Sequence, residues 1–187
     1  MCIRDRFDGA RHIPIWTLPG MAERSISVNS VSKTYSVTGW RVGFVAASAA
    51  LTASIRKVHD FLTVGAAAPL QAAVAEAFKF EPSYYEDLSA FYQERRDYLC
   101  AALEKAGFRC IVPQGAYYVM ADISAFGFDD DVKFAFYLAE TIGVAVVPGS
   151  TFYRNNVPDG KRYVRFCFCK KFETLRAAAE RLAKLPR

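Results

Sequence analysis

The spacing of apolar residues predicts two short strands and a helix near the start of the chain. Residues 25–30 alternate between polar and apolar side chains, which is the period of a strand. Residues 41–47 form a more continuous apolar run, which is typical of a buried strand. Over residues 47–64 the apolar side chains recur three or four positions apart and therefore share one face of a helix. The residues on this face are Leu51, Ile55, Val58 and Leu62.

A long helical region follows and ends at a glycine. Pro69 opens this region, Pro82 interrupts it, and Gly107 is a plausible helix stop. A helix of this length can connect two domains, so we place a domain boundary inside it. Its apolar stripe is formed by Leu88, Phe91, Tyr92, Leu99 and Leu103.

The remainder of the chain predicts a second block of mixed helices and strands. Residues 108–124 predict two strands joined by a Pro-Gln-Gly turn. A helix is expected over 132–143, a short strand and turn over 144–152, and another strand over 162–168. A final helix is expected over 172–185. Its apolar face is formed by Leu175, Ala178, Ala179 and Leu182. The fold class predicted for the whole chain is α/β.

Composition and charge exclude several classes of protein. Hydrophobic residues make up 52% of the 187 residues and charged residues 23%, which is typical of a chain with a packed core. No apolar run approaches the ~18 residues that span a bilayer, and no secretory signal is evident. The net charge of +5 is scattered, without a basic stripe of interleaved aromatic residues. We therefore expect a cytoplasmic protein with no membrane or nucleic-acid partner.

The five cysteines fit neither a disulfide framework nor a zinc site. Cys167 and Cys169 lie two positions apart, and on a strand they would share one face, which suits packing better than tetrahedral metal ligation. His12 and His59 have no ligand partners at a useful spacing. We expect no metal site.

The segment between the first two predicted strands combines Lys33 with Arg41 around a Thr-Gly-Trp turn. A lysine amine can attack a carbonyl carbon, and the planar fork of an arginine suits a phosphate group. Ser30 adds a hydroxyl group nearby in the sequence. The three residues together would suit a phosphorylated aldehyde such as pyridoxal phosphate. A Lys/Arg pair at this spacing is more often ordinary surface charge, so the pair alone leaves both interpretations open.

Residues 30–43, with the sequence SVSKTYSVTGWRVG, match position by position the lysine signature of class I and II aminotransferases. These are the fold-type I pyridoxal-phosphate enzymes. The resemblance extends through residues 12–30, 112–124, 143–152 and 163–182. It is nearest to the kynurenine and glutamine transaminase types and to related bacterial aminotransferases.

The resemblance implies a role for four residues. Lys33 would bond covalently to pyridoxal 5'-phosphate and exchange protons with the substrate, while Ser30 and Arg41 would bind the cofactor phosphate. Arg165 resembles the arginine that holds the substrate α-carboxylate. Its position on a predicted strand, on the face opposite Val164, is compatible with this role, although a structural salt bridge is the alternative.

The resemblance also implies how the chain is organised. Residues 1–6 fit nothing that follows and are expected to be a non-native start. Residues 7–95 would be the last part of the large cofactor-binding domain with its connecting helix, and residues 96–187 the small C-terminal domain. The family's Gly-containing loop, ring-stacking aromatic residue and pyridinium-binding Asp are not matched here, since Asp5 is not followed by a Tyr three residues later. We therefore expect an N-terminally truncated fragment that is inactive alone, from a homodimeric parent.

Substrate preference is only partly indicated by the sequence. The substrates implied by the family are an amino acid and a 2-oxo acid. Aspartate aminotransferases have an arginine for the side-chain carboxylate near the start of the long helical region, and residues 60–69 contain no such cation. Aromatic, thioether or amide side chains are therefore favoured. A carbon–sulfur β-lyase of the same fold and a catalytically silent fragment remain alternatives.

Overall fold

The computed structural model of the chain describes residues 6–154 and 158–186. The described chain divides into two compact units. One contains Gly9–Tyr85, and the other contains the residues from Glu86 onward together with Phe7 and Asp8. The division falls inside the long helix, between Tyr85 and Glu86, and the predicted boundary at residue 95 stays a prediction. Residues 1–5 of the expected non-native start lie outside the described residues.

The first unit contains a two-stranded antiparallel sheet and two helices. Strand β1 (Ser27–Ser30) pairs with β2 (Gly43–Ala46), with Ser30 opposite Gly43. Helices α1 (Ala49–Thr63) and α2 (Ala68–Ala77) follow in sequence. This unit has a small core. Its buried residues are Val31, Val42 and Val74, and the partly buried residues packed against them are Tyr35, Val37, Phe44, Ala66 and Leu70.

The expectation that residues 41–47 form a buried strand is wrong for the described chain. Val45 of β2 is 47% exposed, and its cross-strand partner Val28 is 77% exposed. Within the described residues β2 pairs only with β1, and a strand is buried only when layers cover both of its faces. The predicted apolar face of α1 is also largely open, since Val58 and Leu62 are exposed.

The second unit is a four-stranded antiparallel sheet packed against helices. Its strands are β3 (Arg109–Ile111), β4 (Tyr118–Asp122), β5 (Val147–Pro148) and β6 (Tyr163–Cys167), in the spatial order β3-β4-β6-β5. Its helices are α3 (Pro82–Lys105, which begins in the first unit), α4 (Asp131–Tyr137) and α5 (Phe172–Leu182). These elements agree with the predicted order of strands and helices after Gly107.

The core of the second unit follows from the period-two pattern of its central strands. In β6 the side chains of Val164 and Phe166 are buried, while Arg165 between them is only half-buried. The same alternation buries Val119 and Ala121 in β4. Helices α3 and α5 cover this face with residues that include Leu99, Leu103, Leu175 and Leu182. The helical face predicted for residues 172–185 is therefore confirmed.

The segment Arg6–Asp8 belongs to the second unit. Phe7 is fully buried in the core of this unit, and its ring lies 6.2 Å from that of Phe168. Asp8 accepts two hydrogen bonds from the buried guanidinium of Arg96, at 2.6 and 2.9 Å. Burial of one aromatic ring and a two-point ion pair explain why this short segment joins the later block. The identification of the units with a large and a small domain stays a prediction.

In the described ranges 6–154 and 158–186, no helix is both long enough and apolar enough to cross a bilayer.

Candidate cofactor and substrate site

The loop between β1 and β2 holds Lys33 between buried neighbours. Ser32 and Thr34 on either side of it are buried, and Lys33 itself is half-buried. The backbone N–H of Val31 donates to the carbonyl of Val42 at 3.4 Å and closes the base of the loop. The lysine is therefore presented on a fixed turn at the end of a strand.

An aromatic cluster of the first unit anchors this loop through Tyr35. The Tyr35 ring stacks on Tyr84 at 5.9 Å, and the edges of Phe78 and Phe80 pack around it. Its hydroxyl lies 2.7 Å from the hydroxyl of Tyr85. The hydroxyl of Tyr84 also donates to the carbonyl of Thr34 at 2.7 Å, next to the lysine. Aromatic pairs and buried hydroxyl contacts of this kind restrict the backbone on the C-terminal side of Lys33.

A chain of hydrogen bonds links Ser30, Lys33 and Arg41 through Thr38. The Lys33 amine donates to Thr38 Oγ1 at 3.3 Å, and that hydroxyl donates to the carbonyl of Ser32 at 3.2 Å. Arg41 Nη1 donates to the carbonyl of Thr38 at 3.1 Å. Ser30 Oγ donates to Ser32 Oγ at 2.8 Å and accepts from the Ser32 backbone N–H at 3.2 Å. The structure thus brings together the three residues of the first unit that the sequence predicts.

Thr38 is a functional candidate that sequence reasoning missed. Its side chain contacts Lys33, and its backbone carbonyl contacts Arg41, so a single residue orients both cations. The lysine signature leaves this position free, and only the short 3-10 turn Thr38–Trp40 brings the hydroxyl back to Lys33. A Thr or Ser five residues after such a lysine is the signal that could have identified it.

Arg41 lies in the left-handed region of the backbone map, with φ 55° and ψ 37°. A non-glycine residue in this conformation costs about 1–2 kcal/mol and persists where the surroundings impose it. The turn that ends at Trp40 imposes it here and directs the exposed guanidinium alongside the hydroxyl network. This strain favours a functional role for Arg41 over ordinary surface charge.

A cleft in the first unit does not coincide with the lysine loop. It has a volume of about 680 Å³, and its lining includes Arg41 together with Arg56 and His59 of α1. Neither Ser30 nor Lys33 lines it. The hydrogen-bond network, rather than this cleft, defines the candidate cofactor position.

The donor set around Lys33 fits a phosphorylated aldehyde. Two cationic side chains and the hydroxyls of Ser30, Ser32 and Thr38 lie along one loop. Guanidinium and hydroxyl groups suit a phosphate, and a positioned amine suits an aldehyde carbon. The residues present therefore agree with the cofactor that the sequence implies.

Arg165 of the second unit is held by two aromatic rings. Its guanidinium carbon lies 5.0 Å from the centre of the Tyr118 ring and 4.7 Å from that of Phe152. Within the described part of the chain, the buried Nε atom of Arg165 has no hydrogen-bond partner. A buried N–H group without a partner is costly, and a ligand carboxylate would satisfy it. This favours ligand binding over the alternative of a structural salt bridge.

A tight turn after β5 places Phe152 over Arg165. A Cβ atom added to Gly149, which opens this turn, would lie 2.5 Å from the carbonyl oxygens of Gly160 and Tyr163. The buried carboxylate of Asp131 accepts a hydrogen bond from the Ser150 backbone N–H at 2.6 Å. The close approach that only glycine permits and the bond from Ser150 fix the turn.

Asp122, at the end of β4, forms ion pairs with Arg109 and Arg162. Burial acts to raise its pKa, but hydrogen bonds from Ser124 and Arg162 outweigh burial and lower the pKa to about 2. Arg162 Nη2 donates to Asp122 Oδ2 at 2.8 Å, and Arg109 donates to the same oxygen at 3.3 Å. The ionised carboxylate therefore joins β3, β4 and the segment before β6.

Comparison with known proteins gives matches over nearly the whole chain. Residues 8–182 match the family model described as "Aminotransferase class I and II". A methionine aminotransferase of Escherichia coli (strain K12) is 40% identical over 179 residues, which are 96% of this chain and 46% of that protein. A kynurenine–oxoglutarate transaminase of Dictyostelium discoideum is 35% identical over 201 residues, 96% of this chain and 46% of that protein.

Solved structures give the same result at the level of the fold. The structure of N-succinyldiaminopimelate aminotransferase from Mycobacterium tuberculosis matches with a TM-score of 0.90 at 38% identity. The match covers 97% of this chain and 47% of that chain. The chain thus spans about half the length of the curated relatives it matches.

Proposed function

Because the chain belongs to the class I and II aminotransferases, we propose that it takes part in the pyridoxal-phosphate-dependent transfer of an amino group from an amino acid to a 2-oxo acid. The predicted family and the fold-type I architecture are confirmed by the family model and the solved structures. The family is generally dependent on pyridoxal phosphate.

The observation that best supports the proposal is the hydrogen-bond network around Lys33. Lys33 would hold the aldehyde carbon of the cofactor, and Ser30 and Arg41 would hold its phosphate. When bound, pyridoxal phosphate supplies an electron sink for the substrate Cα. Lys33 acts as the base and acid that moves the Cα proton, and the Thr38 hydroxyl orients its amine.

Arg165 is proposed to hold the substrate α-carboxylate. Its unpartnered Nε and its place between two aromatic rings support this assignment. An arginine fork binds a carboxylate at two points and thereby fixes the orientation of the amino acid. Ser30, Lys33 and Arg41 belong to the first unit and Arg165 to the second, so the two groups are assigned separately.

The proposed amino donor has a thioether, aromatic or amide side chain. Residues 60–69 contain no cation for a second carboxylate. The relatives named for methionine and kynurenine, at 40% and 35% identity, support a thioether or aromatic donor.

We further propose a homodimer and a cytoplasmic location. Exposed apolar residues of α1 and its end, such as Phe61 at 92% exposure, are available for burial against a second copy. Cys100, Cys110, Cys167 and Cys169 are free thiols, which agrees with a reducing compartment. Light scattering measures the mass in solution, and a single-chain mass would contradict the dimer.

The test of the proposed function compares pyridoxal phosphate with pyridoxal, which lacks the phosphate. The 187-residue chain should bind pyridoxal phosphate saturably, with a change in its absorption spectrum, and should bind pyridoxal much more weakly. Equal affinity for the two compounds would contradict the phosphate site. In a turnover assay with methionine and a 2-oxo acid, release of keto acid without ammonia would identify transamination and would contradict the expectation that the chain is inactive alone. Keto acid together with ammonia would identify the β-lyase.

A further inference from the structure

Two thiols on the second unit lie nearly in bonding contact at the end of β6. Cys167 is the last residue of this strand, and Cys169 lies two residues beyond it. Their sulfur atoms are 2.9 Å apart, and both thiols are free. A disulfide bond has a length of about 2.0 Å, so the two sulfurs need to approach by less than about 1 Å to form one.

Phe168 explains why the two thiols point to the same side. Its side chain is fully buried in the core of the second unit, and its backbone N–H donates to the carbonyl of Tyr117 at 2.9 Å. With the central residue directed inward, the residues on either side are directed outward. Both thiols are half-buried and therefore retain some access to solvent. The prediction that Cys167 and Cys169 share one face is confirmed. The distance between their sulfur atoms is shorter than an ordinary packing contact.

The surroundings make Cys167 the more nucleophilic of the two thiols. The hydrogen bond from the Cys169 thiol is the largest influence that lowers the pKa of Cys167, and the backbone N–H of Cys169 adds to it. The positive charges of Lys170 and Arg165 act in the same direction, and together these effects outweigh burial, which raises the pKa. The pKa of Cys169 is raised by the same contact. Cys167 therefore provides the thiolate, which is the reactive form of cysteine, and Cys169 retains its proton.

We propose that Cys167 and Cys169 form an oxidisable dithiol site that reacts with hydrogen peroxide to give an intramolecular disulfide. The Cys167 thiolate attacks one peroxide oxygen, the O–O bond breaks, and hydroxide leaves, so that Cys167 becomes a sulfenic acid. The Cys169 sulfur then attacks the Cys167 sulfur. The S–O bond breaks, and the oxygen leaves as water with the proton of Cys169. Two thiols and one peroxide give one disulfide and two water molecules.

The other thiol pair of this unit provides an internal comparison. Cys100 of α3 and Cys110 of β3 also share a hydrogen bond. Cys100, however, is only 6% exposed, which limits the access of peroxide to it. The proposal therefore predicts selective oxidation at the end of β6.

Peptide mapping tests the proposal directly, because trypsin cleaves after Arg165 and after Lys170. The resulting peptide, residues 166–170, contains both cysteines of the proposed site, whereas Cys100 and Cys110 fall in two other peptides. After mild peroxide treatment of the native 187-residue chain, this peptide should lose the mass of two hydrogen atoms. When the treated chain is then denatured, this peptide should resist alkylation by iodoacetamide until dithiothreitol is added, whereas Cys100 should be alkylated. Alkylation of both Cys167 and Cys169 after peroxide treatment, or a cross-link to a different cysteine peptide, would overturn the proposal.

Single substitutions separate the two chemical roles. Cys169→Ser should stop the reaction at a sulfenic acid on Cys167, which dimedone traps. Cys167→Ser should leave Cys169 largely unmodified at the same peroxide dose. Dimedone labelling of Cys169 in Cys167→Ser as fast as the labelling of Cys167 in Cys169→Ser would contradict the assigned order of attack. Far-UV circular dichroism checks each variant for native structure, and the alanine variant at the same position replaces a serine variant that fails this check. The wild-type reaction repeated in urea should lose its selectivity, and equal selectivity in urea would contradict a role for the folded geometry.

Discussion

Replacing Asp122 by Asn should weaken the second unit at neutral pH. The substitution keeps an oxygen for the Ser124 N–H but removes the charge that binds Arg162 and Arg109. The pKa of Asp122 is about 2 in the folded chain, against about 3.9 for an unperturbed Asp. This difference corresponds to about 2.6 kcal/mol of folding stability. Because the folded pKa is the lower of the two, the contribution is complete above pH ~4 and is lost as the pH falls towards 2.

Urea unfolding read by hydrogen exchange on peptides from β4 and β6 measures this effect for the second unit alone. The matched control is Asp129→Asn, which removes the same charge from an exposed position. It should lower the free energy of unfolding by less than about 0.5 kcal/mol. The difference between the two variants should disappear near pH 2. An equal loss of unfolding free energy in the two variants at pH 7, or a difference between them that persists in acid, would refute the assignment of this stabilisation to the ionised carboxylate of Asp122.

Substitutions at three further positions test the lysine loop and the turn beside Arg165. Arg41→Ala should weaken the affinity for pyridoxal phosphate by about 1.5–3 kcal/mol, which is the range for hydrogen bonds to charged groups. A titration that shows no change in affinity would indicate that Arg41 has a structural role instead. Thr38→Val should weaken cofactor binding by about 1 kcal/mol because Lys33 loses the hydroxyl that accepts its hydrogen bond. Thr38→Ser keeps this hydroxyl and should bind the cofactor as wild type does. Identical affinities for the two variants would rule out a positioning role for Thr38. Gly149→Ala should destabilise the second unit by about 1–3 kcal/mol in the same unfolding experiment because the new Cβ meets two carbonyl oxygens, and an unchanged free energy of unfolding would contradict this close approach.

The sequence predicted those features that depend on periodicity and on a continuous motif. The alternation along β6 predicted that Val164 and Phe166 face the core and that Arg165 faces away. The signature around Lys33 placed Ser30 and Arg41 with it on one loop, and the hydrogen bonds agree. Local patterns of this kind appear in the chain before any tertiary contact is known.

The remaining features depend on contacts between distant parts of the chain. Phe152 lies over Arg165 only because a turn fixed by Gly149 returns to β6, and no periodicity in the sequence marks that approach. Phe7 joins the second unit through its burial in that core and through the ion pair of Asp8 with Arg96, 88 residues later. The exposure of β2 also differed from the prediction, because burial depends on neighbouring layers as well as on the strand's own residues.

The most direct test of the central claim is to locate the lysine that bonds to the cofactor. The wild-type chain is mixed with pyridoxal phosphate, reduced with borohydride, digested with trypsin and analysed by mass spectrometry. The label is expected on Lys33, in a peptide of residues 25–41 that is left uncleaved at the modified lysine. The labelled peptide should be absent from Lys33→Arg and unchanged in Lys79→Arg, a control at an exposed lysine. Label on another lysine, or equal labelling of all exposed lysines, would contradict the assignment of Lys33 as the cofactor-binding residue.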